Sequence, residues 1–322
     1  MSLKSCCAWV LVALASVTLG RAQSKRLNPV IDLLEHHKPV FGLYAPSNGG
    51  GRRGGEAPPA RPAIELAKDA LAYRSADYLF NGSMEGGLER GLPAFTDFVR
   101  ALGDAAGPAK APFFGLTHPL IVKTPKIAPD FEKAADNINR QLNAGAAGIM
   151  FVEAESAEEV RRGLAAMRFA SKGGTRTDKV GIAPDIWGMS EPEYKQKADL
   201  WPLNPDGELI NWTIVESKEG LAHVREIAAV KGIGVLWPGA GTLRGVFSTT
   251  NAAGERVVDM AAHEQAIQQV LAACKEFKVP CGYPANANDI ETRMAQGFSV
   301  FVMNWGDAGF KAVDIGRRAA GR

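Results

Sequence analysis

The stretch N-W-T-I-V-E-S-K-E-G, residues 211–220, decides the fold. Its apolar run ends in a carboxylate, Glu216, and passes at once into a helical pattern. A second apolar run, V-L-W-P-G-A-G-T-L-R-G at residues 235–245, ends in a Pro/Gly turn. Strands that end in functional side chains and lead straight into helices are typical of parallel α/β barrels, whose sites lie at the carboxyl ends of the strands. We therefore expect Glu216 and the second turn to share one functional edge.

Short apolar runs of the same kind alternate with helical patterns along the whole chain. They begin at residues 39, 77, 119, 148, 210, 233, 280 and 298. Eight almost entirely apolar runs separated by helices predict a (β/α)8 TIM barrel. Residues 24–38 are predicted to form a helix that covers the barrel floor. An open, doubly wound parallel sheet is the alternative fold.

The amino-terminal residues have the pattern of a secretory signal. Lys4 precedes an uncharged apolar segment from Ala8 to Gly20, and small residues flank Arg21. We expect cleavage near Ala22, which makes residues 1–22 a signal peptide and residues 23–322 a single barrel domain. The protein would then be exported, periplasmic or secreted, with no membrane attachment. An uncleaved anchor is the alternative.

The charge of the chain is balanced. It has 37 basic and 35 acidic residues, and cleavage after Ala22 would remove two basic residues and leave 35 of each. A chain without excess positive charge is a poor candidate for binding nucleic acid or an anionic membrane surface. A small molecule is therefore the expected partner.

Two cysteines remain beyond residue 22. Cys274 falls in a helical pattern and Cys281 on the next strand, with six residues between them. This spacing predicts unfavourable geometry for a disulfide. We expect both to be small buried residues without a catalytic role.

Two excursions interrupt the alternation of strands and helices. Residues 48–61 (N-G-G-G-R-R-G-G-E-A-P-P-A-R) follow the first strand, and residues 171–209 contain Trp187 and Trp201. Either segment could close over a ligand if it lies at the active edge. A surface excursion without function is the alternative for the first.

The side chains at the predicted strand ends are rich in carboxylates. They include Glu85, Glu153, Glu155 and Glu216, together with Lys123. No histidine falls at a strand end, which disfavours a Ser-His-Asp site. A divalent cation held by carboxylates and polarising a keto acid fits this set better.

Four segments carry a resemblance to a known family. They are F-V-E-A-E-S-A-E-E-V-R-R-G-L-A-A-M-R-F at residues 151–169, E-Y-K-Q-K-A-D from Glu193, I-V-E-S-K-E-G and the W-P-G-A-G-T-L turn. Together they resemble the HpcH/HpaI aldolase/citrate lyase family. The resemblance implies a phosphoenolpyruvate/pyruvate-type (β/α)8 barrel, often oligomeric. It also implies Mg²⁺, Mn²⁺ or Co²⁺ as cofactor, and carbon–carbon bond chemistry beside a pyruvate-like enolate.

Carried over by position, the resemblance assigns roles to several residues. Glu216 corresponds to the metal-binding glutamate. Outside the resemblance, Glu153 or Glu155 could supply a second metal ligand if either points into the barrel mouth. Lys123, in L-I-V-K-T-P, stands where the family has a substrate-binding arginine, so it keeps the charge but loses the planar two-pronged contact. Glu85 would move protons. The predicted substrate-binding residues are Tyr44, Lys123, Trp237, Gly239, Ala240, Gly241 and Thr242.

Two positions depart from the family pattern. The turn after the sixth strand usually reads G-P-A-D-L, with the aspartate completing the metal site, whereas this chain places Gly241 or Thr242 there. After the second strand, where aldolases read G-E-H, this chain has S-M-E-G and offers Gly86 in place of the histidine.

These observations lead to two hypotheses of different class. The protein is a divergent, metal-dependent lyase or aldolase acting on a 2-keto acid or related small carboxylate, as a homo-oligomer. Alternatively, it is an exported barrel that binds a small carboxylate or aromatic compound without catalysis, or without a metal.

Overall fold

Strands occur at all eight predicted positions in the computed structural model, which describes residues 26–48, 59–106 and 118–322. The proposed signal peptide, residues 1–22, lies outside the described residues, as do residues 49–58 of the first excursion. The strands of the described part are β1 Val40–Tyr44, β2 Tyr78–Asn81, β3 Leu120–Thr124, β4 Gly148–Phe151, β5 Leu200–Trp201, β6 Leu209–Val215, β7 Val235–Pro238, β8 Ser248–Thr250, β9 Arg256–Val258, β10 Gly282–Pro284 and β11 Val300–Met303.

Helices follow most of the strands and surround the sheet. They are α1 Pro29–Glu35, α2 Ala63–Ala72, α3 Leu88–Ala106, α4 Phe131–Asn143, α5 Ala157–Met167, α6 Ala183–Trp187, α7 Glu191–Lys197, α8 Lys218–Ala222, α9 Val224–Ala228, α10 Ala240–Val246, α11 Met260–Phe277, α12 Ile290–Gln296 and α13 Asp307–Ala319. Among these helices of the described residues, none combines the length and apolarity needed to cross a bilayer.

Eight parallel strands form the barrel. The sheet runs β10-β11-β1-β2-β3-β4-β6, and β7 pairs with β6. The Leu236 amide of β7 donates to the Pro280 carbonyl at 2.9 Å, and Leu236 also forms a parallel bridge with Cys281 before β10. These contacts join the two edges, so the (β/α)8 prediction is confirmed and the open-sheet alternative is wrong.

The predicted floor helix is α1, which occupies part of residues 24–38. The Asn28 side chain accepts a hydrogen bond from the Val30 amide and so caps the helix. Val30, Ile31 and Leu34 are buried against the amino ends of the barrel strands, including Val40 and Val300. The helix therefore closes the barrel at the end opposite the predicted site.

Aromatic rings fill the barrel interior. Trp212 packs edge-on against Tyr78, with centroids 4.9 Å apart, and lies 5.3 Å from Trp237. Glycines on neighbouring strands make room for the rings. A Cβ atom at Gly42 would lie 2.2 Å from the Tyr78 ring, and one at Gly282 would lie 2.1 Å from Trp237.

Residues 171–209 lie away from the active edge, so the hypothesis that this segment closes over a ligand there is wrong. Trp187 is buried, packs on Tyr194 and donates to the Gly145 carbonyl at 3.2 Å. Trp201 lies in β5, which pairs with the first residues of β6, and donates to Glu35 of α1 at 3.0 Å. Because β5 joins the amino end of β6, this segment supports the floor and the outer wall.

The expectation of unpaired cysteines is also wrong. Cys274 and Cys281 form a disulfide with Cα atoms 5.7 Å apart, inside the range of roughly 4.4–6.8 Å that disulfides allow. Lys278, which ends α11, has a left-handed backbone with φ of 57°. That sharp turn brings the following strand back against the last turns of α11, which the spacing alone did not indicate.

We expect Gly42→Ala to lower the free energy of unfolding by about 1–3 kcal/mol, because the added methyl group would overlap the Tyr78 ring. Urea denaturation measures this difference. Gly241→Ala is the matched control, since a Cβ atom there meets nothing within 4 Å. Equal stability of Gly42→Ala and the parent would contradict the described packing.

Candidate functional site

A chamber of about 180 Å³ opens at the carboxyl ends of the strands. Its lining includes Glu216 and every predicted substrate-binding residue, namely Tyr44, Lys123, Trp237, Gly239, Ala240, Gly241 and Thr242. These side chains come from four strand ends that are far apart in the sequence. The closed barrel brings them together, as the pattern of strand ends predicted.

Glu216 is the buried acid of this chamber, with 3% of its surface exposed. It ends β6, and the next residue, Ser217, caps α8 by accepting a hydrogen bond from the Gly220 amide at 3.0 Å. Glu216 Oε1 accepts from the Glu153 amide at 3.1 Å. No hydrogen bond from the described residues reaches Oε2, which is therefore available to a ligand.

Gly239 closes one side of Glu216. A Cβ atom at this position would lie 2.3 Å from the Glu216 Cβ and 2.5 Å from Oε2. Only glycine allows the turn after β7 to approach the acid so closely. The Gly239 amide donates to the Val215 carbonyl at 2.9 Å. Sheet pairing therefore already uses this amide.

Glu153 contributes its backbone amide, and not its side chain, to the surroundings of Glu216. Its φ is 46°, in the left-handed region that non-glycine residues seldom adopt, and this conformation accompanies the hydrogen bond from its amide to Glu216. Its carboxylate is about half exposed, lies 3.9 Å from Lys126 Nζ and is not among the groups lining the chamber. The geometry does not place it as a metal ligand.

Lys123 stands at the junction of two cavities. It lines the chamber and also an outer cavity of about 660 Å³, where Nζ donates to Glu85 Oε2 at 2.9 Å. Glu85 lines only the outer cavity. The Gln141 amide group donates to the Lys123 carbonyl at 2.7 Å and fixes the end of β3.

Tyr44, the last residue of β1, lines both cavities. Its ring packs edge-on against Phe80, with centroids 5.0 Å apart. Burial raises the pKa of the Tyr44 hydroxyl, while the positive charge of Lys123 opposes this shift and the charge of Glu85 adds to it. The hydroxyl therefore stays protonated at neutral pH and can donate a hydrogen bond to a ligand.

His263 supports the turn from outside the chamber. Its Nε2 lies 2.8 Å from the Ala240 carbonyl oxygen, so Nε2 carries the proton and donates it. The side chain is buried, and Nδ1 has no hydrogen-bond partner among the described residues. The sequence indicates no histidine at a strand end, and no local pattern links His263 to a turn more than twenty residues earlier.

The described residues contain no metal site that is enclosed by protein ligands. No group of three or more His, Cys, Asp or Glu side chains there could hold a metal ion. Glu216 Oε2 offers one free carboxylate oxygen, and the space around a Cβ atom at Gly241 is open. This arrangement fits a cation that keeps most of its water, as Mg²⁺ often does, and does not fit one enclosed by protein ligands.

A protein-family model matches most of this chain. The model described as HpcH/HpaI aldolase/citrate lyase matches residues 109–309. The match spans more than half of the chain, so the protein belongs to this family, whose members are carbon–carbon lyases and aldolases. No match is found among curated proteins.

Solved structures of low sequence identity share the fold. An HpcH/HpaI aldolase/citrate lyase family protein from Burkholderia cenocepacia J2315 is 20% identical, with a TM-score of 0.64 over 91% of this chain and 97% of that chain. An HpcH/HpaI aldolase from Desulfitobacterium hafniense DCB-2 is 17% identical, with a TM-score of 0.60 over 85% and 89%. Macrophomate synthase is 19% identical, with a TM-score of 0.57 over 91% and 88%.

We expect Gly241→Asp or Thr242→Asp to tighten Mn²⁺ binding by roughly tenfold to a hundredfold, because either carboxylate would stand at the chamber beside Glu216. Electron paramagnetic resonance of free Mn²⁺ measures the affinity. Adding Glu216→Gln to the better variant is the control and should abolish the gain. Unchanged affinity in both aspartate variants would contradict the assignment of the metal to this edge.

Proposed function

We propose that this protein is a carbon–carbon lyase of the aldolase type, acting on a 2-keto acid or related small carboxylate at the barrel mouth. The observation that carries the proposal is that Glu216 and Lys123 both line one small chamber. Its volume of about 180 Å³ is below the roughly 300–1,000 Å³ of drug-sized ligand sites. A substrate of a few carbon atoms suits this space.

Lys123 would bind the carboxylate of the substrate. Its Nζ already holds a carboxylate, Glu85, at 2.9 Å. A substrate carboxylate in the chamber would compete for the same ammonium group, which acts as a rotatable point charge. Substrate binding would thereby release Glu85 from Lys123.

Glu216 would be the protein ligand of a divalent cation, with water and substrate oxygens in the other positions. Mg²⁺, Mn²⁺ or Co²⁺ bound there would polarise the keto oxygen of the substrate. The Glu153 amide holds Oε1 and leaves Oε2 for the cation. A side chain at Gly239 would collide with Oε2, so glycine at this position leaves the space beside that oxygen unfilled.

Glu85 and Tyr44 would handle protons at the rim. Glu85, released from Lys123, is a carboxylate in the outer cavity and would accept a proton through water. The Tyr44 hydroxyl is protonated and lines both cavities, so it can donate to a substrate oxygen. Together they would replace the histidine that aldolases of the family carry where this chain has Gly86.

A second candidate function is ligand binding without catalysis. It is favoured by Gly241 and Thr242, which stand where the family has its metal-binding aspartate, and by Gly86, which stands where it has the histidine. Under this alternative the chamber would bind a small carboxylate through Lys123, and a chelator would leave the affinity unchanged.

We also propose that the protein is exported and forms a homo-oligomer. The signal-like pattern of residues 1–22 supports export. Val257 and Met260 support self-association, because both are about half exposed and only three residues apart in the sequence, in β9 and at the start of α11. Exposed apolar side chains that lie together are a feature of interaction surfaces.

We expect the mature protein to exchange the methyl protons of pyruvate with D₂O when Mg²⁺, Mn²⁺ or Co²⁺ is added, as followed by proton NMR. Glu216→Gln should slow the exchange by roughly tenfold to a hundredfold, because it removes the ligand of the cation. Glu219→Gln, an exposed acid of the next helix, is the matched control. If no keto acid exchanges with any of these metals, the lyase proposal is wrong.

We expect Lys123→Met to raise the half-saturating concentration of pyruvate in this exchange by about tenfold or more, the typical effect of losing a charged hydrogen bond. Lys123→Arg should restore most of the affinity. Glu85→Gln should lower the half-saturating concentration but also slow exchange at saturation, because it removes both a competitor and a base. Identical kinetics in Lys123→Met and the parent would exclude Lys123 from substrate binding.

A further inference from the structure

A second cavity lies at the opposite end of the barrel. It has a volume of about 940 Å³ and is bounded by α1, by β5 and the residues that follow it, by the loop before β7 and by the end of α11. None of its lining residues is shared with the chamber at the mouth. Its volume lies within the range of roughly 300–1,000 Å³ that is usual for small-molecule sites.

The walls of this floor cavity are mostly apolar. Trp201, Ile233 and Leu271 form the buried part, and Phe277 and Val279 are partly buried. Leu203 borders the cavity with 41% of its surface exposed, one of the few large apolar side chains of the described residues that reach solvent to this extent. An apolar chain in the cavity would cover this surface.

Four lysines border the same cavity. They are Lys38, Lys231, Lys275 and Lys278, all exposed. No acid of the described residues lies within ion-pair distance of any of the four. Since acidic and basic residues are almost balanced over the whole chain, four lysines without acidic partners at one cavity are a local excess of positive charge.

The only carboxylate in the lining, Glu35, does not neutralise these lysines. Arg26 Nε donates to Glu35 Oε2 at 2.8 Å, and Trp201 Nε1 donates to Oε1 at 3.0 Å. The hydrogen bond from Arg26 also lowers the pKa of Glu35. Its charge is therefore matched by Arg26, and the lysines remain available to a ligand.

We propose that the floor cavity binds an anionic amphiphile of the alkyl carboxylate class. The alkyl chain would lie against Leu203, Ile233 and Phe277, and the carboxylate would contact the lysine ammonium groups. The aliphatic stems of the lysines would extend the apolar wall while their charged ends stay in water. A small inorganic anion would leave the apolar wall uncovered, and a cationic amphiphile would be repelled.

The test is isothermal titration calorimetry of the mature protein with hexanoate, octanoate and decanoate, below their micelle-forming concentrations and at constant ionic strength. We expect the affinity to rise about fourfold for each added methylene group. Decyltrimethylammonium, which has the same chain length as decanoate and the opposite charge, should not bind. Affinity that is independent of chain length, or equal for the cation, would overturn the proposal.

Charge-reversal variants and an apolar-to-acidic variant test whether decanoate binds in the floor cavity. Lys231→Glu combined with Lys278→Glu should weaken decanoate binding by about tenfold or more, and Leu203→Glu should weaken it similarly. Lys179→Glu combined with Lys311→Glu is the matched control, because both lysines are exposed and lie outside the cavity. Circular dichroism checks that each variant is folded. Unchanged affinity in the first double variant would overturn the proposal.

Two further measurements distinguish binding in the floor cavity from binding at the mouth and from self-association of the chain. Glu216→Gln and Lys123→Met should leave decanoate affinity unchanged, whatever they do to chemistry at the mouth. Loss of binding in Lys123→Met would instead place the anion at the mouth and overturn the proposal. Sedimentation velocity tests self-association. If Leu203→Glu dissociates an oligomer and the parent does not bind decanoate, the cavity is an interface with a second copy of the chain, and the proposal is overturned as well.

Discussion

The structure depends on the closure of a parallel sheet. The hydrogen bond from the Leu236 amide to the Pro280 carbonyl joins β7 to the segment before β10, so eight strand ends meet around one opening. Closure places Lys123 of β3 and Glu216 of β6 on the wall of one chamber, although more than ninety residues separate them in the sequence. The aromatic rings inside the barrel and the glycines beside them fill the interior, and α1 closes the floor. The site is thus a consequence of how the sheet curls.

A buried carboxylate must be compensated, since an isolated charge removed from water is strongly unfavourable. For Glu216 the compensation comes from the Glu153 amide, whose left-handed backbone accompanies the contact, and leaves one oxygen free. Gly239 packs against the same acid from β7. Backbone groups therefore hold the Glu216 carboxylate in place, although Gly241 or Thr242 stands where the resemblance implies a second metal-binding carboxylate. This combination is consistent with a cation bound mainly through water and substrate rather than by an enclosed set of protein ligands.

The sequence predicted those features that follow from strand periodicity. Apolar runs marked all eight strands. Because the ends of parallel strands converge, the residues at these ends, such as Tyr44, Lys123 and Thr242, were predicted to lie together and line the chamber. Features that depend on single backbone angles escaped prediction. The left-handed residue Lys278 turns β10 back towards α11 and allows the Cys274–Cys281 disulfide, and the left-handed residue Glu153 contributes an amide instead of a carboxylate. Long-range packing escaped prediction as well, for nothing local places Trp201 at the floor or His263 beneath the turn.

A crystal structure of the protein grown with Mn²⁺ and pyruvate, with anomalous diffraction recorded to locate the metal, would test the metal and substrate positions directly. We expect an anomalous peak at coordination distance from Glu216 Oε2, with the pyruvate carboxylate against Lys123 Nζ and Glu85 displaced from that lysine. Pyruvate bound with its carboxylate away from Lys123, or a chamber that holds neither metal nor pyruvate at saturating concentrations, would contradict this expectation.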